Sequence, residues 1–317
     1  MENQTSVSEF LLLEFSNTHQ LQILHFLLFL VLYLATVTGN LLIIVAVAFD
    51  HHLHTPMYFF LMSLAIQDLG SVSAIMPKSM VNSLFNTRHI SFSGCVAQFF
   101  FFMFFAGSDL SLLTVMAYDR YIAICYPLQY EMIMNRRACT QMLAGVWIFS
   151  VLNAVLHACG TFSTPFCSNV VDQFFCEIPK LLKLTCSDLN QIELGYIVFI
   201  VIIAFGCFIF TTVTYVYIFT AVLRIPSVKG RQKAFSTCLP HLTVFSIFIF
   251  TPCFSYLRPS SNTPSNLDLA FTMIYSIVPP LLNPVIYSMR NKDLKVALIK
   301  LLDLRLSSKN GSSTFLL

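Results

Sequence analysis

The stretch Met116–Tyr130, MAYDRYIAICYPLQY, ends the third of seven long apolar runs and begins a short basic loop. It contains the charged pair Asp119 and Arg120. Charged side chains are costly in the hydrocarbon of a membrane, whereas at its rim both groups reach water and lipid headgroups. Charges at such a helix end can hold it closed and release it when the helix moves. The stretch therefore favours signalling over enzymatic chemistry.

The composition is that of a membrane protein. The chain has 317 residues, of which 56% are hydrophobic and 10% charged, and its mean hydropathy of +0.75 lies outside the soluble range. The runs long enough to cross roughly 30 Å of hydrocarbon are Ile23–Phe49, Met57–Pro77, Cys95–Ala117, Cys139–Ala158, Ile192–Val222, Cys238–Leu257 and Leu269–Met289. We predict an all-α membrane protein, with a seven-helix transmembrane bundle at 23–290 between an N-terminal segment, 1–22, and a C-terminal segment, 291–317.

Basic residues indicate the orientation of this bundle. The loops on the side of the C-terminus, with the C-terminal segment itself, carry thirteen Lys and Arg residues, and the opposite side carries five. Because cytoplasmic loops are enriched in such residues, we predict a multi-pass plasma-membrane protein with an extracellular N-terminus and a cytoplasmic C-terminus. The first twenty residues contain acids and no basic residue, so the first run is expected to act as an uncleaved anchor. Asn3 opens a sequon on the outer side and is predicted to be glycosylated.

The sequence offers no catalytic cluster and no metal-ligand spacing. His51, His52 and His54 lie together in the first inner loop, where a solvated interfacial loop is the simpler interpretation. Nucleic-acid binding is not indicated either, because the net charge of +3 reflects the asymmetry between the two sides. We therefore predict that the protein is not an enzyme.

Four of the ten cysteines fall on the outer side, where the compartment is oxidising. They are Cys95, at the start of the third run, and Cys167, Cys176 and Cys186, in the loop between the fourth and fifth runs. Four cysteines allow three pairings, which the spacing does not separate. That loop of about thirty residues is too long to be a passive connector. Pinned to the third helix, it would cover the mouth of the bundle as a lid.

Two acids, Asp68 and Asp109, lie inside predicted spans and are functional candidates for that reason. Asp109 precedes Arg120 by three helical turns, roughly 16 Å along the same helix face. Asp68 lies at a similar depth, and two carboxylates at one level require a shared cation or a shared proton. The alternative is that each is protonated and hydrogen-bonded between helices. Asn40 and Asn283 are predicted to complete a polar core at this depth.

Prolines interrupt the last two runs, and each frees a backbone carbonyl and permits a kink. They are Pro240, Pro252, Pro279, Pro280 and Pro284. In the stretch Asn283–Tyr287, a kink lies one turn from an aromatic hydroxyl. A hinge and a static kink are both compatible with this pattern.

Taken together, these motifs resemble those of mammalian-type odorant receptors, within the rhodopsin-like G-protein-coupled receptors. Four motifs carry the resemblance: LHTPMY at Leu53–Tyr58, MAYDRYIAICYP at Met116–Pro127, KAFSTC at Lys233–Cys238 followed by His241, and PLLNPVIYSMRN at Pro280–Asn291. A lone DRY is weak evidence, but four motifs in this order and spacing are highly specific. The resemblance implies a receptor that binds an odorant and activates a stimulatory heterotrimeric G protein to raise cyclic AMP. It also implies contact with membrane lipid and a receptor-transporting accessory protein.

The resemblance assigns roles to particular residues. Arg120 is expected to engage the G protein, with Tyr215 and Tyr287 as its partners in the active state. The coupling and activation set is Asp119, Arg120, Tyr121, Tyr215, His241, Asn283, Pro284 and Tyr287. Other implied features are a sodium ion, an allosteric modulator, at Asp68 and Asp109, disulfides Cys95–Cys176 and Cys167–Cys186, and a short amphipathic eighth helix at Lys292–Leu302.

The ligand site that the resemblance implies lies in the outer half of the bundle. Its members are Phe99, Phe102, Met103, Ala106, Gly107, Phe199, Ile203, Cys253, Tyr256 and Met273. None is charged, so we expect a small, neutral, mostly apolar organic ligand, with Tyr256 as hydrogen-bond donor. Departures from the family include Asp109 in place of Glu, Pro240 in place of Ser, Thr214 in place of Ser, and Phe248–Phe250 in place of Phe-Tyr-Gly. The last of these removes a hydroxyl from the floor of the expected pocket.

Two other functions share this architecture. A transporter also places acids at mid-membrane, but transporters usually show repeated halves with broken helices, which this sequence lacks. A chemoreceptor of the same fold in a non-olfactory tissue remains open.

Overall fold

The computed structural model describes residues 7–13, 18–186, 191–224, 226–257 and 266–311. Seven of its helices are long and apolar enough to cross a membrane. The helices are α1 (His19–Phe49), α2 (Pro56–Phe85), α3 (Phe92–Cys125), α4 (Tyr130–Ile133), α5 (Arg136–Phe162), α6 (Ile178–Leu182), α7 (Gln191–Leu223), α8 (Val228–Leu257), α9 (Asn266–Arg290) and α10 (Lys292–Gly311). The predicted all-α, seven-helix architecture is confirmed.

Most of the membrane helices extend beyond the apolar runs that predicted them, and capping residues explain several of their ends. Ser91 accepts a hydrogen bond from the Gly94 amide at the start of α3, and Pro56 occupies the first turn of α2. Asn86 ends α2 in the left-handed conformation that terminates helices. Hydropathy marks the hydrocarbon-spanning part of a helix, whereas caps mark its ends. The apolar runs therefore underestimated the length of α2 and α3.

The third membrane helix, α3, lies at the centre of the bundle and packs against α2, α5, α7 and α8. The half of the bundle on the predicted cytoplasmic side, called the inner half below, has an apolar core that includes Ile43, Leu64 and Leu113. The outer half is aromatic, with Phe102, Phe174 and other rings in one cluster. Polar side chains are buried between these two regions, at the level of the intramembrane acids.

A small antiparallel sheet, which the sequence did not predict, covers the outer face. Strand β1 (Glu9–Leu11) pairs with β2 (His89–Ser91), with Phe10 opposite Ile90. The His89 ring lies 3.2 Å from the Glu9 carboxylate. The side chain of Phe10 is fully buried, so the described residues 7–13 of the N-terminal segment are part of the fold.

Beyond the seventh membrane helix, α10 confirms the predicted eighth helix and extends past the expected end at Leu302. Leu294 is fully buried, and Leu298 and Leu301 pack against the inner core. The predicted apolar stripe therefore faces the bundle.

Candidate functional site

A cavity of about 130 Å³ lies inside the bundle between α2, α3, α8 and α9. It is lined by Ser71, Phe102, Met103, Ala106, Asp109, Phe248, Tyr275, Ser276 and Pro280. Three of these side chains are aromatic, and four carry oxygen atoms that can form hydrogen bonds as hydroxyl or carboxyl groups. The cavity can therefore hold a small molecule by shape and dispersion, with a few polar anchors.

The structure brings only part of the predicted ligand set to this cavity. Phe102 and Met103 line it, together with Ala106 about one helical turn further along α3. Phe99 packs above them with the Cys95–Cys176 pair. Met273 is packed against the outer aromatic cluster.

The other predicted ligand residues lie elsewhere. A side chain at Gly107 would meet Asn153 and Ser150 on α5. Phe199 is 52% exposed on the outside of α7, and Ile203 lines a separate shallow groove between α3 and α7. The side chains of Cys253 and Tyr256 lie outside the described residues, as does Asn3.

The long outer loop packs against Phe102, which lines the cavity, and forms the lid that the sequence predicts. The structure pairs Cys95 with Cys176 and Cys167 with Cys186, as the resemblance implies. The Phe175 ring lies 4.8 Å from the Phe102 ring between centroids. Phe175 is also fully buried, so the loop closes the bundle from above.

A buried acid that the sequence analysis missed, Glu177, joins this lid to α9. The Tyr275 hydroxyl donates to the Glu177 carboxylate. The Gln173 side-chain amide donates to Glu177 at 3.3 Å and to the Thr272 hydroxyl at 2.8 Å. The sequence feature that could have identified Glu177 is its position directly after Cys176, which the resemblance assigns to a disulfide. The lid is therefore held by hydrogen bonds as well as by the disulfide to α3.

At the floor of the cavity, the two intramembrane acids differ in their hydrogen bonding. The Asn283 side-chain amide donates to both oxygens of Asp68, at 2.9 and 3.2 Å. Within the described part of the chain, Asp109 Oδ1 and Asn283 Oδ1 are buried without a hydrogen-bond partner. When both are ionised, the Asp68 and Asp109 carboxylates repel each other. Oxygen atoms from three side chains are thus concentrated at one depth.

Asn40 was expected in this polar core, and the structure shows that it does not bond to the acids. Its side-chain amide donates to the backbone carbonyl of Pro280 at 3.0 Å and to that of Thr36 at the same distance. The Pro280 carbonyl lies four residues before Pro284, which removes its usual helical donor. Asn40 therefore satisfies a carbonyl that Pro284 leaves without its helical donor.

At the inner end of the bundle, His241 of α8 connects three helices. Its Nε2 lies 2.8 Å from the Leu113 carbonyl of α3, and its Nδ1 lies 2.8 Å from the Tyr215 hydroxyl of α7. A carbonyl only accepts, so Nε2 donates, and in a neutral imidazole Nδ1 then accepts from Tyr215. The imidazole is fully buried. This chain of bonds holds α8 against α3.

The charged pair at the end of α3 is buried, but its two members do not share partners. Asp119 accepts a hydrogen bond at 2.8 Å from the hydroxyl of Tyr130, in α4. Burial, followed by the nearby Asp119 carboxylate, raises the pKa of the Tyr130 hydroxyl, which therefore remains a donor. No hydrogen bond or ion pair to Arg120 occurs among the described residues, and the Tyr287 hydroxyl is likewise buried without a partner. Tyr121 stacks edge-on against Tyr126.

This bundle, with an outer cavity under a disulfide-bonded lid and an Asp–Arg pair at the inner end of α3, is similar to a solved G-protein-coupled receptor. Squid rhodopsin superposes with a TM-score of 0.72 at 17% sequence identity, over 89% of this chain and 81% of that chain. The likeness establishes a rhodopsin-type seven-helix fold.

Sequence comparison defines the family within this fold. The olfactory receptor family profile matches residues 29–305. Human olfactory receptor 14A16 is 48% identical over 98% of this chain and all of that receptor. Human olfactory receptor 14L1 is 49% identical over 93% of this chain and 91% of that receptor. The chain belongs to the olfactory receptor family, a class of multi-pass membrane receptors that are not enzymes.

Proposed function

We propose that this receptor binds small, neutral, mostly apolar organic molecules in the outer cavity and activates a stimulatory, olfactory-type G protein that raises cyclic AMP. The observation that carries this proposal is the roofed cavity of about 130 Å³ in a member of the olfactory receptor family. The proposed orientation has the N-terminus and the lid outside, with glycan on Asn3. The basic loops, α10 and the G-protein surface lie in the cytoplasm.

The cavity walls support the proposed ligand class. Typical drug-sized sites measure about 300–1,000 Å³, so a cavity of about 130 Å³ selects compact molecules. Phe102, Phe248 and Tyr275 contribute aromatic surface, and Ser71 and Ser276 contribute hydroxyls. A ligand with one polar group and an apolar body would match both kinds of surface.

A sodium ion is proposed between Asp68 and Asp109. The residues present fit such an ion, because hard cations prefer oxygen ligands and both Asp109 Oδ1 and Asn283 Oδ1 are buried without partners in the described structure. Bound there, sodium would neutralise the repulsion between the two carboxylates and stabilise the contact of α2 with α3. The Asn283 side-chain amide would fix the position of the Asp68 carboxylate at this site through its two hydrogen bonds.

Activation is proposed to separate α8 from α3. The His241–Leu113 hydrogen bond crosses this boundary and would break as α8 moves outward. Arg120 and the Tyr287 hydroxyl, which lack partners among the described residues, would then be free to contact the G protein and each other. Tyr215, released from His241, would join them as the resemblance implies.

A cyclic-AMP reporter screen of neutral odorants, in cells that carry the olfactory G protein, tests this function. Ala106→Phe fills the cavity and should abolish every response at unchanged surface expression. Val201→Phe, on the lipid-exposed face of α7, is the matched control and should respond as the parent does. A response that survives Ala106→Phe would place the ligand elsewhere.

A further inference from the structure

A second cavity, at the opposite end of the molecule, takes no part in the proposed odorant recognition. It is a groove of about 590 Å³, more than four times the volume of the outer cavity. It lies where the inner ends of α1, α2 and α5 meet the first and second inner loops. The groove is partly open, and Ala48 on its rim is exposed on the surface of α1. Lipid beside the bundle can therefore reach it.

The inner wall of this groove is apolar. Val47, Leu53 and Met134 are buried members of the inner core, and Phe59 and Met62 pack against that core. A flexible hydrocarbon chain would be stabilised by moving from water onto such a wall, and would lose little by moving there from lipid. The wall alone is therefore compatible with any acyl chain.

The mouth of the groove is cationic and selects the headgroup. Arg136, His54, Thr55 and Thr140 line it. Arg136 is exposed, and no ion pair or hydrogen bond to its guanidinium occurs among the described residues. No acidic side chain lines the groove in the described part of the chain. Of the acids in the two adjoining loops, Asp50 accepts a hydrogen bond from the His52 amide at 3.0 Å, and Glu131 is exposed on α4.

The backbone adds to this positive potential. The first turns of both α2 and α5 border the groove, since Pro56 begins one helix and Arg136 begins the other. Each helix start carries a partial positive charge and amide donors. Thr55, at the cap position of α2, makes no side-chain capping hydrogen bond, so its hydroxyl is available to a ligand oxygen.

We infer that this groove binds an anionic phospholipid of the inner leaflet, with one acyl chain on the apolar wall and the phosphate on the Arg136 guanidinium. A guanidinium binds phosphate through two parallel hydrogen bonds, and basic pockets between membrane helices on the cytoplasmic side bind anionic headgroups. The assignment to the inner leaflet rests on the orientation given under the proposed function. Lipid bound there would stabilise the second inner loop, next to the hydrogen bond between Tyr130 and Asp119.

Native mass spectrometry of the full-length receptor in detergent tests this inference without any signalling readout. Dioleoyl-phosphatidylserine is titrated against dioleoyl-phosphatidylcholine. Arg136→Gln should weaken phosphatidylserine binding roughly five- to tenfold and leave phosphatidylcholine unchanged. The matched control is Arg137→Gln, which removes the same charge one residue outside the groove and should change binding less than about twofold. Equal effects of the two variants, or no effect of either, would overturn the site.

A second pair of variants tests the acyl chain. Ala48→Trp places an indole in the groove and should abolish selective binding, whereas Leu41→Trp, two turns away on the exposed face of α1, should not. Soluble phosphoserine should fail to displace the lipid. Displacement by phosphoserine, or selective binding that survives Ala48→Trp, would overturn the lipid assignment. A receptor that binds the lipid in this way and never signals would instead refute the proposed function alone.

Discussion

Replacing His241 with Phe should activate the receptor without ligand. The substitution keeps an aromatic ring that can pack beside Phe245, 6.3 Å away between centroids, and removes two buried hydrogen bonds, to the Leu113 carbonyl and the Tyr215 hydroxyl. A typical intramolecular hydrogen bond contributes about 0.5–1.5 kcal/mol, so the two together stabilise the closed arrangement by roughly 1–3 kcal/mol. If both bonds break when α8 moves, their loss shifts the equilibrium toward the active state by about 5- to 150-fold.

The assay is basal cyclic AMP at matched surface expression. Basal cyclic AMP should rise in His241→Phe and should fall back to the parent level when Arg120→Ala is added. Tyr215→Phe removes one of the two bonds and should raise basal signalling less. If His241→Phe folds, reaches the surface and has the basal signal of the parent, then these bonds do not hold α8 closed and the reasoning is refuted.

Three further results are expected. Cys95→Ser and Cys176→Ser should reduce surface expression alike, and the double variant should be no worse, because a shared bond is lost only once; additive loss would contradict the pairing. Asp68→Asn and Asp109→Asn should each abolish the sodium dependence of agonist-driven cyclic AMP, with little further change in the double variant. If signalling by the parent receptor does not depend on sodium concentration, the proposed sodium site is refuted. Tyr275→Phe removes the hydroxyl that donates to Glu177 of the lid, and should speed hydrogen exchange in the lid. Unchanged exchange would show that this hydrogen bond does not hold the lid to α9.

The helices were predictable because hydropathy and charge act locally along the chain. An apolar run of about twenty residues has no alternative in lipid but to form a helix, since every backbone group must be satisfied within it. The eighth helix followed from its apolar stripe, Leu294, Leu298 and Leu301, which the structure packs against the core. The lid followed from loop length and from cysteines in an oxidising compartment.

The rotation of each helix about its own axis was less predictable. Lipid and a bundle interior are both apolar, so an apolar residue such as Phe199 carries no signal that separates the two environments. The structure leaves Phe199 half-exposed and directs Gly107 toward α5, whereas Phe102 and Ala106 line the cavity. Buried acids carry a clear signal because they must avoid lipid, and Asp109 does reach the cavity wall.

Contacts between segments that are distant along the chain could not be predicted from the sequence. Strands β1 and β2 have three residues each, too few for a periodic pattern. The hydrogen bond between Glu177 and Tyr275 joins residues 98 positions apart. The residues around Glu177 and those around Tyr275 contain no pattern that predicts this contact. The same holds for the Tyr58 hydroxyl, which donates to Asn291 at 2.8 Å and links α2 to the start of α10.

The central claim is that occupancy of the outer cavity is transmitted to a G protein through the inner end of α3. The most direct measurement is agonist-driven cyclic AMP from Arg120→Ala at surface expression equal to that of the parent. The account predicts that the response is lost, because Arg120 is the buried cation that the proposed outward movement of α8 would uncover. A variant that reaches the surface and responds like the parent would contradict the account.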